Sequence, residues 1–269
     1  MSEPTYFNRG AAPAAVDEAK EEGLWDLVKV IFQAVAIAVV LRTLLFQPFN
    51  IPSGSLIPTL LIGDYVFASK YSLGYSHYSL PGFLDWFPQA MPGRILFSEP
   101  KRGDIIVFRP PGDPNNDFIK RLIGLPGDKI QMKAARLYVN GEMMDRQALP
   151  PFEMANSIGD AVKVPHYEET LPGGVKHEII QSLADGGRYS NTGVYEVPPG
   201  HYFMMGDNRD NSSDSRVPAT EEGVVGFVPA ENLIARGEIV FFSVDGAPAW
   251  QFWRWPWTVR WNRLMHVIH

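Results

Sequence analysis

The residue types in this 269-residue chain narrow the chemistry it can do. It has no cysteine, so thiol nucleophiles, thiolate zinc sites and disulfides are excluded. The six histidines, at 77, 166, 177, 201, 266 and 269, are scattered, and neither H-E-x-x-H nor G-x-S-x-G occurs. No histidine pair has metal-ligand spacing and no glycine loop for phosphates is present, so no metal and no cofactor are expected. Nucleophilic catalysis would therefore rest on Ser, Thr or Lys. His201 is the one histidine near a candidate motif, and it reads as a structural residue. Ser98 and Lys101 match S-x-x-K in form. That motif needs a helical turn, and Pro100 works against one.

Three segments could carry the reaction. In Ile51-Pro52-Ser53-Gly54-Ser55-Leu56-Ile57-Pro58, the prolines restrict the chain on both sides and Gly54 lets the backbone approach a substrate. Ser55 could thus be held exposed at a fixed angle, although a Ser/Pro linker has the same composition. In Asp117–Asp128, strand alternation places Phe118, Lys120 and Leu122 on one face and Ile119 and Arg121 on the other. Flanked by apolar side chains, the Lys120 ammonium is disfavoured, which suits a lysine general base. An ordinary strand lysine reaching solvent fits the same pattern. The third segment, Gly206–Arg216 (GDNRDNSSDSR), has the Gly/Asp/Asn/Ser density of turns held by side-chain-to-backbone bonds. It fails the EF-hand pattern and reads as a rigid polar loop supporting a catalytic pair.

These segments need a scaffold. Residues 1–23 are small, polar and acidic without apolar periodicity, and are expected to be a flexible tail. Residues 24–48 are expected to be a membrane anchor. Val30–Leu41 is apolar but for Gln33, and with its flanks about 20–22 residues span the roughly 30 Å hydrocarbon layer. A cleaved signal peptide fits less well, since the apolar run begins late and lacks a small-x-small site before Pro48. A buried or interfacial helix is the third reading. After Phe49, short β-like runs are expected at Asp64–Lys70, Asp104–Arg109, Asp117–Ile123, Lys129–Lys133, Arg136–Val139 before the turn Asn140-Gly141, His201–Met205 and Ile239–Val244. The polar, loop-rich residues 131–199 read as a lobe inserted between core parts 49–130 and 200–245. Residues 246–269 form a Trp-rich tail: five of the seven tryptophans fall in Trp250–Trp261, interleaved with Arg254 and Arg260. That composition suits a membrane interface, or a tryptophan cluster packed on the domain.

Composition bounds the whole. A formal charge of −6 argues against a general nucleic-acid partner. With 45% hydrophobic and 20% charged residues, a polytopic membrane protein, a coiled coil and a disordered chain are excluded. Gly 24 and Pro 23 favour turn-rich β structure.

Taken together, the stretches PSGSLIPTLLIGDYVFASKYSLGYS (52–76), KRGDIIVFRPP (101–111), DFIKRLIGLPGDKI (117–130) and GDNRDNSSDSR (206–216) resemble bacterial signal peptidase I, in order and in spacing after one anchor. The resemblance implies a mainly β fold: an antiparallel core with an inserted smaller β-rich lobe after one N-terminal transmembrane helix. It implies Ser55 as nucleophile, Lys120 as general base, Ser53 with the Ser55 N–H as oxyanion donors, Ser212 orienting the lysine, and Asp214 with Arg216 as a supporting ion pair. Substrate pockets for small residues would be walled by Ile51, Pro52, Leu56, Leu60, Phe118 and Ile119. Leu56 departs from the methionine frequent after the family's nucleophile, while keeping size and apolarity. The run VPATEEG (217–223) is longer than in some relatives and is expected to be a surface loop. The partners implied are the lipid bilayer and signal peptides of secretory preproteins, cut at Ala-x-Ala-type sites on the extracytoplasmic side of the bacterial cytoplasmic membrane. Other readings are a specialised Ser-Lys processing peptidase, a self-cleaving repressor and a non-catalytic anchored β-domain. The anchor and the absence of a helix-turn-helix count against the repressor, and Ser55 and Lys120 in their motifs against the binding module.

Overall fold

The computed structural model describes residues 18–79, 93–113, 115–155, 160–181, 187, 189–217, 225–246 and 250–268. The expected tail at 1–17 and the loop at 218–223 lie outside the described residues. The chain divides into two units between Arg42 and Thr43.

The first unit is carried by α1, Glu18–Leu44, which begins inside the segment expected to be a tail. Within it, Gly23–Leu44 is long and apolar enough to cross a membrane, about 33 Å at 1.5 Å per residue. The helix stops earlier than the expected anchor end at residue 48. Gln47 precedes Pro48 and is pushed toward extended backbone, so Phe46–Asn50 forms strand β1 instead.

The second unit is mainly β. Its strands are β2 Asp64–Ser69, β3 Ile105–Phe108, β4 Phe118–Gly124, β5 Lys129–Lys133, β6 Arg136–Val139, β7 Glu142–Met143, β8 Asp145–Ala155, β9 Ala161–Leu171, β10 Val175–Ile180, β11 Tyr195–Glu196, β12 His201–Met205, β13 Val228–Pro229, β14 Leu233–Ser243 and β15 His266–Val267. An eight-stranded sheet runs β1-β2-β14-β3-β4-β12-β13, with β15 on β14. A four-stranded sheet runs β11-β5-β6-β7 and a three-stranded one β10-β9-β8. Pro48 is tolerated in β1 because that strand is an edge.

The seven expected strands all form: three have ends shifted by one residue, and the expected Ile239–Val244 is the end of a longer strand that begins at Leu233. Asn140 and Gly141 take the left-handed backbone of the expected turn, φ 54° and 85°. Ala134 and Ala135 form a second left-handed turn that no glycine signals. Among the strands not expected, β8 to β10 are rich in charge, and β8 and β9 are interrupted by proline. Pro150 and Pro151 fall where the β8–β9 register shifts between Leu149 and Phe152, a bulge that absorbs the missing donors. Residue 131 falls inside β5. The β5 and β6 side chains Ile130, Met132, Leu137 and Val139 pack with Ile123, Phe203 and Met205 in one core, so the first part of the 131–199 segment shares the main core.

The C-terminal segment is tied to the body by its arginines. Arg260 donates to the Ile62 carbonyl (2.9 Å), and Arg263 donates to the Thr59 carbonyl (2.9 Å) and pairs with buried Asp64. Trp255 packs on Phe242, ring centroids 5.0 Å apart. Trp250, Trp253, Trp257 and Trp261 remain exposed.

Candidate active site

The loop that carries Ser55 leaves the edge of the large sheet. The Ile51 N–H donates to the Asp64 carbonyl (2.8 Å), and Gly63 donates back to Ile51 (3.0 Å). Beneath the loop, Ile51, Leu56 and Leu60 pack with Val66, Ile105 and Val240. Burial of these side chains drives the turn and leaves Ser55 at the rim of a groove of about 480 Å³.

Lys120 reaches Ser55 from β4. Its Nζ lies 2.8 Å from Ser55 Oγ and 3.1 Å from the Ile119 carbonyl oxygen. Ser55 is 7% exposed and Lys120 4%. Burial lowers the Lys120 pKa to about 8, against the opposing pull of the Asp214 and Asp207 charges. The apolar face expected from strand alternation includes Phe118, whose ring centroid is 5.4 Å from Nζ. Ser53 Oγ is 3.5 Å from Ser55 Oγ on the exposed side. Among the described residues the Ser55 N–H has no hydrogen-bond partner. An amine that loses its proton near pH 8 and is bonded to a hydroxyl can deprotonate it, and the neighbouring N–H and hydroxyl donors can stabilise an oxyanion.

The Gly206–Arg216 loop closes the site from below. Asn208 donates its N–H to the Ser55 carbonyl and its Nδ2 to the Gly54 carbonyl, both at 3.1 Å. A Cβ on Gly206 would fall 2.3 Å from Ser212 Oγ and 2.5 Å from the Ser55 carbonyl oxygen, so this position excludes a side chain. Asp214 and Arg216 form the expected buried pair, at 2.9 and 2.8 Å. Burial pushes the Asp214 carboxyl up, but Arg216, the Gly206 N–H and Ser212 bring it below the usual carboxylate range. Ser212 is buried against Gly206, and the bonds of Lys120 go to Ser55 and the Ile119 carbonyl.

Of the expected groove walls, Ile51, Pro52, Phe118 and Ile119 line it. Leu56 and Leu60 do not: both point into the core beneath the loop. Asn211 and Ser213 also line the groove, and sequence reasoning missed them. It also missed what lies behind Lys120. Arg121 is fully buried and makes a two-point pair with Asp207, both bonds 2.8 Å, and Thr59 Oγ1 donates to the same carboxylate at 2.6 Å. Their places in three of the motifs were the available signal. His177 and Glu169, on β10 and β9, join this network from outside every motif.

The chain is similar to known signal peptidases. The family described as signal peptidase, peptidase S26, matches residues 24–242. A signal peptidase I from Rickettsia typhi is 46% identical over 215 residues, covering 78% of this chain and 76% of that one. The Rickettsia prowazekii signal peptidase I shows the same identity and coverage. A crystal structure of a signal peptidase I from Enterococcus faecalis covers 52% of this chain and 97% of its own at 25% identity, with a TM-score of 0.29. With the family matched over four-fifths of its length and relatives this similar across most of both chains, this chain belongs to the signal peptidase S26 family of peptidases.

Proposed function

We propose that the chain is a membrane-anchored serine endopeptidase that removes signal peptides from exported preproteins. The observation that carries the reading is the 2.8 Å bond between Lys120 Nζ and Ser55 Oγ in a buried setting. In this reading neutral Lys120 takes the Ser55 proton as Oγ attacks the scissile carbonyl. The oxyanion is met by the Ser55 N–H and the Ser53 hydroxyl, each such donor worth about 3 kcal/mol. Lys120 then returns its proton to the leaving amine and activates water against the acyl-enzyme. Asp214 and Arg216 hold the loop beneath, and Ser212 fills the space against Gly206.

The substrate lies extended in the groove, between residues 50–53 on one side and 116–119 on the other. Among the described residues β1 is the edge strand of the large sheet, which suits strand addition, in which main-chain bonds supply affinity and alternate side chains enter pockets. Walls of Ile51, Pro52, Phe118 and Ile119 favour small apolar residues and so Ala-x-Ala-type sites. Gly23–Leu44 spans the bacterial cytoplasmic membrane, and the catalytic unit works on its extracytoplasmic side. The four exposed tryptophans suit contact with the lipid headgroup region.

The test is cleavage of a preprotein ending in Ala-x-Ala by the wild type, Ser55→Ala and Lys120→Ala. Both variants fold and cleave nothing; full activity in either one refutes the assignment.

A further inference from the structure

The catalytic loop is held from its far side by the three-stranded sheet. The Ile180 N–H on β10 donates to the Asp207 carbonyl (3.1 Å), and the Arg209 N–H donates to the Ile180 carbonyl (3.0 Å). These two bonds make a parallel bridge across Asn208, the residue that grips the Gly54 and Ser55 carbonyls. The side chains repeat the connection. His177 on β10 stands opposite Glu169 on β9 in the antiparallel ladder. Its Nε2 is 3.3 Å from Glu169 Oε2 and its Nδ1 is 3.3 Å from Asp207 Oδ1, contacts between two carboxylates in which neither buried ring nitrogen makes a well-formed hydrogen bond. Glu169 in turn accepts two bonds from Arg209.

All of these groups are buried, so charge has to be balanced inside the protein. Arg121 pairs with Asp207, Arg209 with Glu169 and Arg216 with Asp214. Three guanidinium groups therefore meet three carboxylates, and the network needs no charge from Lys120. Two of the three acids belong to the Gly206–Arg216 loop itself; the third comes from β9. Without Glu169, Arg209 would be a buried cation with no carboxylate of its own, two residues from Asp207, whose charge acts on Lys120.

We infer that Glu169 and His177 are positioning residues for the peptidase reaction: the three-stranded sheet clamps Asp207 and Arg209 and so holds Asn208 and, through it, the Ser55 backbone. The inference rests on the Ser55–Lys120 reading above. It gives the polar segment between the Lys120 strand and the Gly206–Arg216 loop a part in positioning the catalytic pair, although neither residue lines the substrate groove.

The experiment compares full-length wild type, Ser55→Ala, His177→Phe, His177→Gln and Glu169→Gln in detergent, cleaving one Ala-x-Ala preprotein. Near-UV circular dichroism first establishes that each is folded. Phe keeps the ring shape and loses both nitrogens, while the Gln amide can donate to a neighbouring carboxylate. His177→Phe and Glu169→Gln should lower kcat about ten- to hundredfold, as small displacements of reacting groups do, with KM within about twofold. His177→Gln should recover most of the lost kcat, and amide exchange at 207–209 should quicken in His177→Phe ahead of β4 and β14. If His177→Phe does not fold, Glu169→Gln and His177→Gln carry the same comparison. Wild-type kcat in His177→Phe or Glu169→Gln overturns the inference, as does a loss confined to KM or a His177→Gln no better than Phe. Ser55→Ala separates the two failures: a silent Ser55→Ala beside fully active clamp variants defeats the clamp alone, whereas an active Ser55→Ala defeats the site itself.

Discussion

A lysine poised as a base should cost the fold stability, and the cost can be measured. Replacing Lys120 by Met keeps most of the side-chain length and removes the amine. In the folded protein burial brings the lysine from 10.5 to about 8, whereas the unfolded chain keeps the ordinary value. Each unit is worth about 1.4 kcal/mol, so below pH 8 the folded state carries about 3 kcal/mol of penalty for holding a buried ammonium. Between pH 8 and 10.5 the unfolded state binds the extra proton, so wild-type stability rises with pH across that window. Lys120→Met has no such proton. It should be more stable than the wild type at pH 7 by up to about 3 kcal/mol, or roughly 6–10 °C in Tm for a unit of this size, and the advantage should close as pH approaches 10.5. The lost bond to Ser55 trims the gain by about 1 kcal/mol. Thermal unfolding of both proteins in detergent from pH 6.5 to 10.5 provides the measurement. A Met variant less stable at pH 7, or a difference that does not change with pH, would show that burial does not perturb this amine.

Two further predictions rest on the same geometry. The acid limb of kcat/KM should lie near pH 8, because below it Lys120 is increasingly protonated and about a tenth of the enzyme is competent at pH 7; a plateau extending down to pH 6 would contradict a lysine base. Gly206→Ala should abolish cleavage and lower stability by about 2–4 kcal/mol, since its Cβ meets Ser212 Oγ at 2.3 Å and the Ser55 carbonyl oxygen at 2.5 Å, and backbone must move to admit it; wild-type kcat and Tm in that variant would refute the packing argument.

Much of this protein is readable from local pattern. The apolar run before Leu44, the alternating strands around Lys120, and the Asn140-Gly141 turn all follow from periodicity and backbone preference, which act between neighbours in the chain. So does the chemistry on offer: with no cysteine and scattered histidines, Ser55 and Lys120 stand out by residue type and by what flanks them. Strands β8 to β10 escape that grammar because their prolines sit in a bulge and their charges either face solvent or find partners that lie far off in sequence. Leu56 and Leu60 show the same limit in reverse. Their apolar character fits a groove wall or a core equally well, and only the direction of the turn after Ser55 sends them inward.

What the sequence alone determined, then, is the membrane-length helix, the mainly β body and the residue types able to do the reaction. What tertiary structure decided is which of those residues meet. The bond from Lys120 to Ser55 joins positions 65 residues apart, and the pairing of Arg209 with Glu169 joins positions 40 apart. The physical reason is that a buried charge is tolerable only beside its partner, and strand order brings that partner from a distant part of the chain.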